Sequence, residues 1–166
     1  MIPPAALLAL GWLVSGCAAE APSVAPPLVP GSSTAPREVN VIARDYVFAP
    51  DPVELIPGET VLLHVINGGL ESHEAVIGDG AVQDAWEEAE AGASVGLPPG
   101  QTAVVSLDPS VGGLRIVVGS GQRVDQVWTV PPAEPSGGLV VGCHIPGHWS
   151  KGMVVPIRFV RPGSVL

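Results

Sequence analysis

The segment CHIPGHWSKGM, residues 143–153, gathers one cysteine, two histidines and one methionine into eleven residues of a chain with only two cysteines, four histidines and two methionines. Thiolate and imidazole suit soft or borderline metal ions, and a thioether beside them favours copper over zinc, whose sites are seldom built with methionine. Cys143, His148 and Met153 are spaced C-x4-H-x4-M, with Pro146 and Gly147 to bend the chain and Gly152 to turn it back. Such a loop can present three ligands from one end of two neighbouring strands. It lacks a second imidazole, which a trigonal plane of two histidines and one cysteine with a long axial methionine requires.

Three other histidines compete for that place. His144 follows the cysteine directly, so in an extended segment its side chain points away from the thiolate. His64 is mid-strand in an apolar stretch and reads as a core or surface histidine. His73, in NGGLESHEAVIG, stands where a loop passes into the next strand and is the better candidate.

The elements that must position these residues read as short strands. EVNVIARDYVF sets Val39, Val41 and Ala43 on one face, and VELIPGETVLLHVIN turns at Pro57-Gly58 before a strand with both faces at least half buried. HEAVIG, TAVVSL, LRIVV, VDQVWTV, GLVVGC and MVVPIRFV follow as further β segments. About eight strands split by turns predict an all-β sandwich or barrel. With 21 Gly and 19 Pro punctuating the chain, long helices are not expected; only DAWEEAEAGA, residues 84–93, suggests a short exposed helix or ordered loop.

At 166 residues one domain is expected, spanning residues 38–166. The net charge of −9 and the scattered basic residues exclude nucleic acid as a partner. IPPAALLALGWLV is an uncharged run too short to span a bilayer, so residues 1–16 read as a cleaved signal peptide, although no Lys or Arg precedes the run. LVSGC, residues 13–17, resembles the lipobox of bacterial lipoproteins, which implies a lipid on Cys17. Residues 17–37, rich in Pro, Ala and Ser, read as a tether that could reach up to roughly 60 Å from a membrane surface.

Taken together, PGETVLLHVIN, SHEAVIG and CHIPGHWSKGM leading into VVPIRFV resemble the cupredoxins, the small blue copper proteins, from about Glu38 onward. The ligand-loop spacing is similar to that of rusticyanins and sulfocyanins. The resemblance implies a Greek-key β-sandwich and one type 1 copper held by His73, Cys143 and His148, with Met153 axial. Glu74 stands after the first histidine, where Asn or Ser is frequent in the family. The implied function is an electron carrier outside the cytoplasm, in the bacterial cell envelope. It would be a lipid-anchored monomer that docks transiently with redox proteins and has no turnover of its own. The alternative is a copper buffer or chaperone. Docking is expected where the His148 edge breaks the surface beside Trp149, Pro146 and Gly147, with Glu87, Glu88 and Glu90 as steering charges if they lie nearby.

Overall fold

The computed structural model describes residues 26–98 and 103–165. The segment 1–16, Cys17, the first part of the tether and the start of TAVVSL lie outside the described residues. Among the described residues, nine strands form two facing sheets. The four-stranded sheet runs β2 (Val47–Ala49), β1 (Arg37–Arg44), β4 (Thr60–Asn67), β7 (Arg123–Thr129). The five-stranded sheet runs β3 (Val53–Leu55), β9 (Val154–Phe159), β8 (Leu139–Gly142), β5 (His73–Gly78), β6 (Leu114–Val118). The number exceeds eight even though TAVVSL contributes no strand, because the expected first strand breaks into β1 and β2 and a further short strand, β3, forms before the Pro57-Gly58 turn, the Pro50–Pro52 stretch carrying the chain from one sheet to the other.

Alternation explains which residues fill the space between the sheets. Val39, Val41 and Ala43 of β1 and Val61, Leu63 and Val65 of β4 meet Ala75, Ile77, Ile116, Val118, Val141, Val155 and Ile157 from the opposite sheet in one buried cluster. β1 and β4 are parallel, with Ala43 opposite Asn67, so the loops that leave their C-terminal ends lie side by side.

β5 is buried along its whole length because a helix covers its outer face. This helix, α1 (Gly80–Ala93), is longer than the sequence suggests and not simply exposed. Asp79 caps it by accepting from the Val82 N–H, and Gln83 Nε2 donates to the carbonyls of Val76 and Gly78. Val82, Gln83 and Glu90 are buried under it.

Two expectations need correction. Residues 103–107 of TAVVSL form no strand; Val104 is fully exposed, and the segment leads into a turn of 3-10 helix at Pro109–Val111 capped by Asp108. Its alternation is not matched by a neighbouring edge to pair with. The second concerns the tether. Leu28 exchanges backbone hydrogen bonds with Gly163 and Ser164, and the Gly31 carbonyl accepts from the Thr60 N–H at 3.0 Å. A Cβ at Gly31 would come within 2.1 Å of the Thr60 carbonyl oxygen, so only glycine permits this approach. The folded unit therefore takes in Leu28–Pro36, which composition alone assigned to the spacer.

Candidate metal centre

The loop between β8 and β9 is pinned at both ends. The Cys143 N–H donates to the Met153 carbonyl at 3.1 Å, and the Met153 N–H to the His148 carbonyl at 3.2 Å. Gly147 (φ 90°) and Gly152 (φ 89°) supply the left-handed turns that L side chains rarely adopt. Cys143 follows the last residue of β8 and His73 is the first of β5, so the neighbouring strands bring both to one end of the sandwich.

There the three donors converge. His148 Nδ1 lies 3.3 Å from Cys143 Sγ and 3.2 Å from His73 Nδ1, and all three atoms fall within 4.8 Å of one another. His73 and Cys143 are fully buried, His148 nearly so, and Met153, on the same loop, is fully buried too. Burial pushes the Cys143 thiol up to about 12, although the Glu74 and Ile145 N–H groups facing the sulfur draw it back. Burial also lowers His148, favouring the neutral imidazole that a metal ligand must be. A thiol so hard to ionise needs a cation to displace its proton, and the soft donor set fits copper.

One flank of the cluster is built by the loops after β1 and β4. His73 Nε2 lies 2.7 Å from Asp45 Oδ1, and His148 Nε2 lies 3.0 Å from Glu71 Oε2. The Leu70 N–H on Asp45 holds that carboxyl below its usual range, and the Tyr46 hydroxyl, donating to Glu71 Oε1 at 2.7 Å, does the same for Glu71. A Cβ at Gly69 would sit 2.3 Å from Asp45 Oδ1 and 3.0 Å from His73 Nε2, so this glycine makes room for the pair. The Tyr46 ring meets His148 edge-on, with Lys151 Nζ 3.5 Å from its centroid.

The other flank is built by β5, β6 and α1. Glu74 accepts from the His144 N–H at 3.0 Å and from Arg115 Nε at 2.7 Å, so the residue after His73 ties its strand to the cysteine loop through a carboxylate. Arg115 also pairs with Glu90, and its guanidinium lies over the Trp86 ring. His144 turns away from the sulfur, as expected, but into the protein: its ring nitrogens face Gln83 and Glu87, and Trp149 stacks on it at 4.8 Å.

The remaining site expectations divide. His64 lies on β4 beside Asp125 and Arg123 of β7 and is not in the donor cluster. Pro146 and Gly147 are exposed, whereas Trp149 is half-buried. The His148 edge does not break the surface; it is 2% exposed because Glu71 covers Nε2. Glu90, expected among the steering charges, is fully buried against Arg115. Sequence reading missed Asp45, Tyr46, Glu71, Gln83 and Arg115. Helical spacing did hold a signal, since Gln83, Trp86, Glu87 and Glu90 follow i, i+3, i+4, i+7 and so share one face.

No protein-family model matches the chain. Among solved structures it is similar to reduced auracyanin from Roseiflexus castenholzii, with a TM-score of 0.58 and 19% identity over 78% of this chain and 99% of that one. It is also similar to azurin iso-2 from Methylomonas sp. strain J, with a TM-score of 0.54 and 15% identity over 76% and 100%. The fold is that of the cupredoxins. In sequence it is 29% identical to the "Copper-resistant cuproprotein CopI" of Pseudomonas aeruginosa over 91% of this chain and 92% of that one. The protein of the same name from Rubrivivax gelatinosus is 34% identical over 75% of this chain and 68% of its own length. Identity at that level across three quarters of the chain, on a cupredoxin fold with a buried Cys-His-His cluster, means that this protein belongs to the CopI cuproprotein family.

Proposed function

We propose that the protein holds one copper ion between His73, Cys143 and His148, with Met153 as a weak axial ligand, and that it passes single electrons through this centre in the service of copper resistance outside the cytoplasm. The observation that carries the reading is the convergence of a thiol and two imidazole Nδ1 atoms within 4.8 Å in a buried site whose loop also carries a buried methionine. Copper bound there would supply a Cu(II)/Cu(I) couple. The chain's own residues orient the donors, keep water from them and hold the loop at one spacing, so that little needs to move when the charge changes. No turnover is assigned to the protein; its partners are redox proteins that dock briefly. The names of its relatives support the link to copper resistance and also favour a second reading, a buffer that holds copper without passing electrons.

Titration of the purified protein with Cu(II) should reach saturation at one equivalent with an intense visible band that one electron bleaches and reoxidation restores. Cys143→Ser should abolish the band. One tightly bound copper that cannot be cycled would leave the buffer reading standing, and retention of the band in Cys143→Ser would overturn both. In a copper-sensitive host, wild type but not Cys143→Ser should restore growth on copper. Anchoring through Cys17 predicts an acylated N-terminus in the mature chain; an intact mass without the lipid would exclude it.

A further inference from the structure

Both imidazoles of the donor cluster have a carboxylate on the nitrogen that faces away from it. Asp45 takes His73 Nε2 and Glu71 takes His148 Nε2, at 2.7 and 3.0 Å. The two acids are themselves fixed: the Leu70 N–H holds Asp45 at 2.8 Å and the Tyr46 hydroxyl holds Glu71 at 2.7 Å. Their side chains are 24% and 41% exposed, so each keeps its charge in contact with water while directing it at a buried ring.

The geometry points to Asp45 and Glu71 as a paired outer clamp that biases the centre toward Cu(II), so that copper bound there would have a lower reduction potential than the same donors would give without the two carboxylates. This deepens the proposed function and rests on it. A carboxylate accepting from the outer N–H fixes the ring tautomer and raises the basicity of the inner nitrogen, and its negative charge favours the more positive metal state. Only one electron moves, from a reduced protein partner to Cu(II), giving Cu(I). The Nε2 proton stays on each ring. Asp45 should count for more than Glu71, because it is less exposed and its hydrogen bond is shorter. These are positioning residues, since neither touches the donor cluster except through an imidazole.

Asp45→Asn and Glu71→Gln keep an acceptor oxygen and remove the charge, so they separate charge from ring orientation. In the copper-loaded full chain, Asp45→Asn should lower the ratio of Cu(II) to Cu(I) affinity about tenfold, read as a potential higher by about 59 mV, Glu71→Gln should lower it by a smaller factor, and the double variant should shift further than either. Glu134→Gln, an exposed acid at the far end of β8, should leave the ratio unchanged. In the diamagnetic Cu(I) protein, the Nε2 protons of His73 and His148 should appear as slowly exchanging downfield NMR signals that vanish in Asp45→Ala and Glu71→Ala respectively. A ratio within twofold of wild type in both charge-removing variants would overturn the clamp. So would an equal shift in Glu134→Gln. Either result would leave the copper assignment intact, whereas a wild-type protein without a reversible copper couple would reject the proposed function itself.

Discussion

Two flanks enclose the His73–Cys143–His148 cluster, and both are built on pairs of acidic side chains. On the flank formed by the ends of β1 and β4, Asp45 and Glu71 are partly exposed and each takes an imidazole. On the helix flank, Glu74 and Glu90 are fully buried and share one guanidinium, Arg115. Water decides what each pair can do. The partly hydrated carboxylates are held below their usual range and keep a charge near the rings. The buried pair crowds two negative charges around one positive one, and burial followed by the Glu74 charge pushes Glu90 up. The first flank can act on the electronic state of the site; the second acts as a mechanical clasp, fastening β5, β6, α1 and the cysteine loop together.

The comparison breaks most visibly at Arg115. Arg115→Met leaves two buried carboxylates without their counter-charge and should destabilise the metal-free protein by about 3–5 kcal/mol in urea unfolding. Adding Glu74→Gln and Glu90→Gln to it should recover much of that loss. Asp45→Asn, on the hydrated flank, should cost no more than about 1 kcal/mol. Equal costs on the two flanks would mean that burial does not separate their roles.

The donors were legible in the sequence to the extent that they were close in the chain. Cys143, His148 and Met153 fall within one loop, and His73 could be chosen because it opens a strand. Strands were legible where alternation had a partner edge, as in β1 and β4, and misleading in TAVVSL, where it had none. The outer carboxylates were not legible, because Asp45 and Glu71 come together only through the parallel pairing that sets Ala43 beside Asn67. Glu90 was misread because acidic composition suggests a solvated face, although its spacing from Gln83 placed it on the helix face that covers the sheet. The strap from Leu28 to Pro36 joins the domain through backbone groups, which composition does not report.

A pair of surface substitutions sharpens the contrast further. Trp149 is half-buried and stacks on His144 at the rim of the helix flank, while Leu70, 88% exposed, caps the carboxylate flank. Trp149→Ala should cost about 2 kcal/mol of stability by removing buried aromatic area and the stacked contact. Leu70→Ser should cost almost nothing, yet slow electron exchange with a protein partner several-fold in stopped flow, more than Trp149→Ala does. Slower exchange in Trp149→Ala alone would move the docking surface to the helix flank.

The smallest effect is one of slope against pH, and the two flanks should give it opposite signs. Glu90 is raised above its ordinary 4.5, so the native state binds more protons than the unfolded chain between 4.5 and the raised value. Stability contributed by that proton is present below 4.5 and falls as pH rises through the window, by at most about 1.4 kcal/mol per pH unit. Asp45 and Glu71 are lowered from 3.8 and 4.5, so the unfolded chain binds the extra protons and their contribution is lost as pH falls below those values. Cys143, pushed up to about 12, does not titrate in either window. Urea midpoints of the metal-free protein from about pH 3 to about pH 7 should therefore carry both slopes, together with a rise toward neutral pH from His148, which burial lowers from 6.5, and the variants separate them. Glu90→Gln should flatten the decline above 4.5 and leave the acid limb in place, whereas Glu71→Gln should soften the acid limb alone. If Glu90→Gln instead reduced the acid loss, Glu90 would be lowered in the fold like the carboxylates of the hydrated flank, and the Arg115 guanidinium would outweigh its burial.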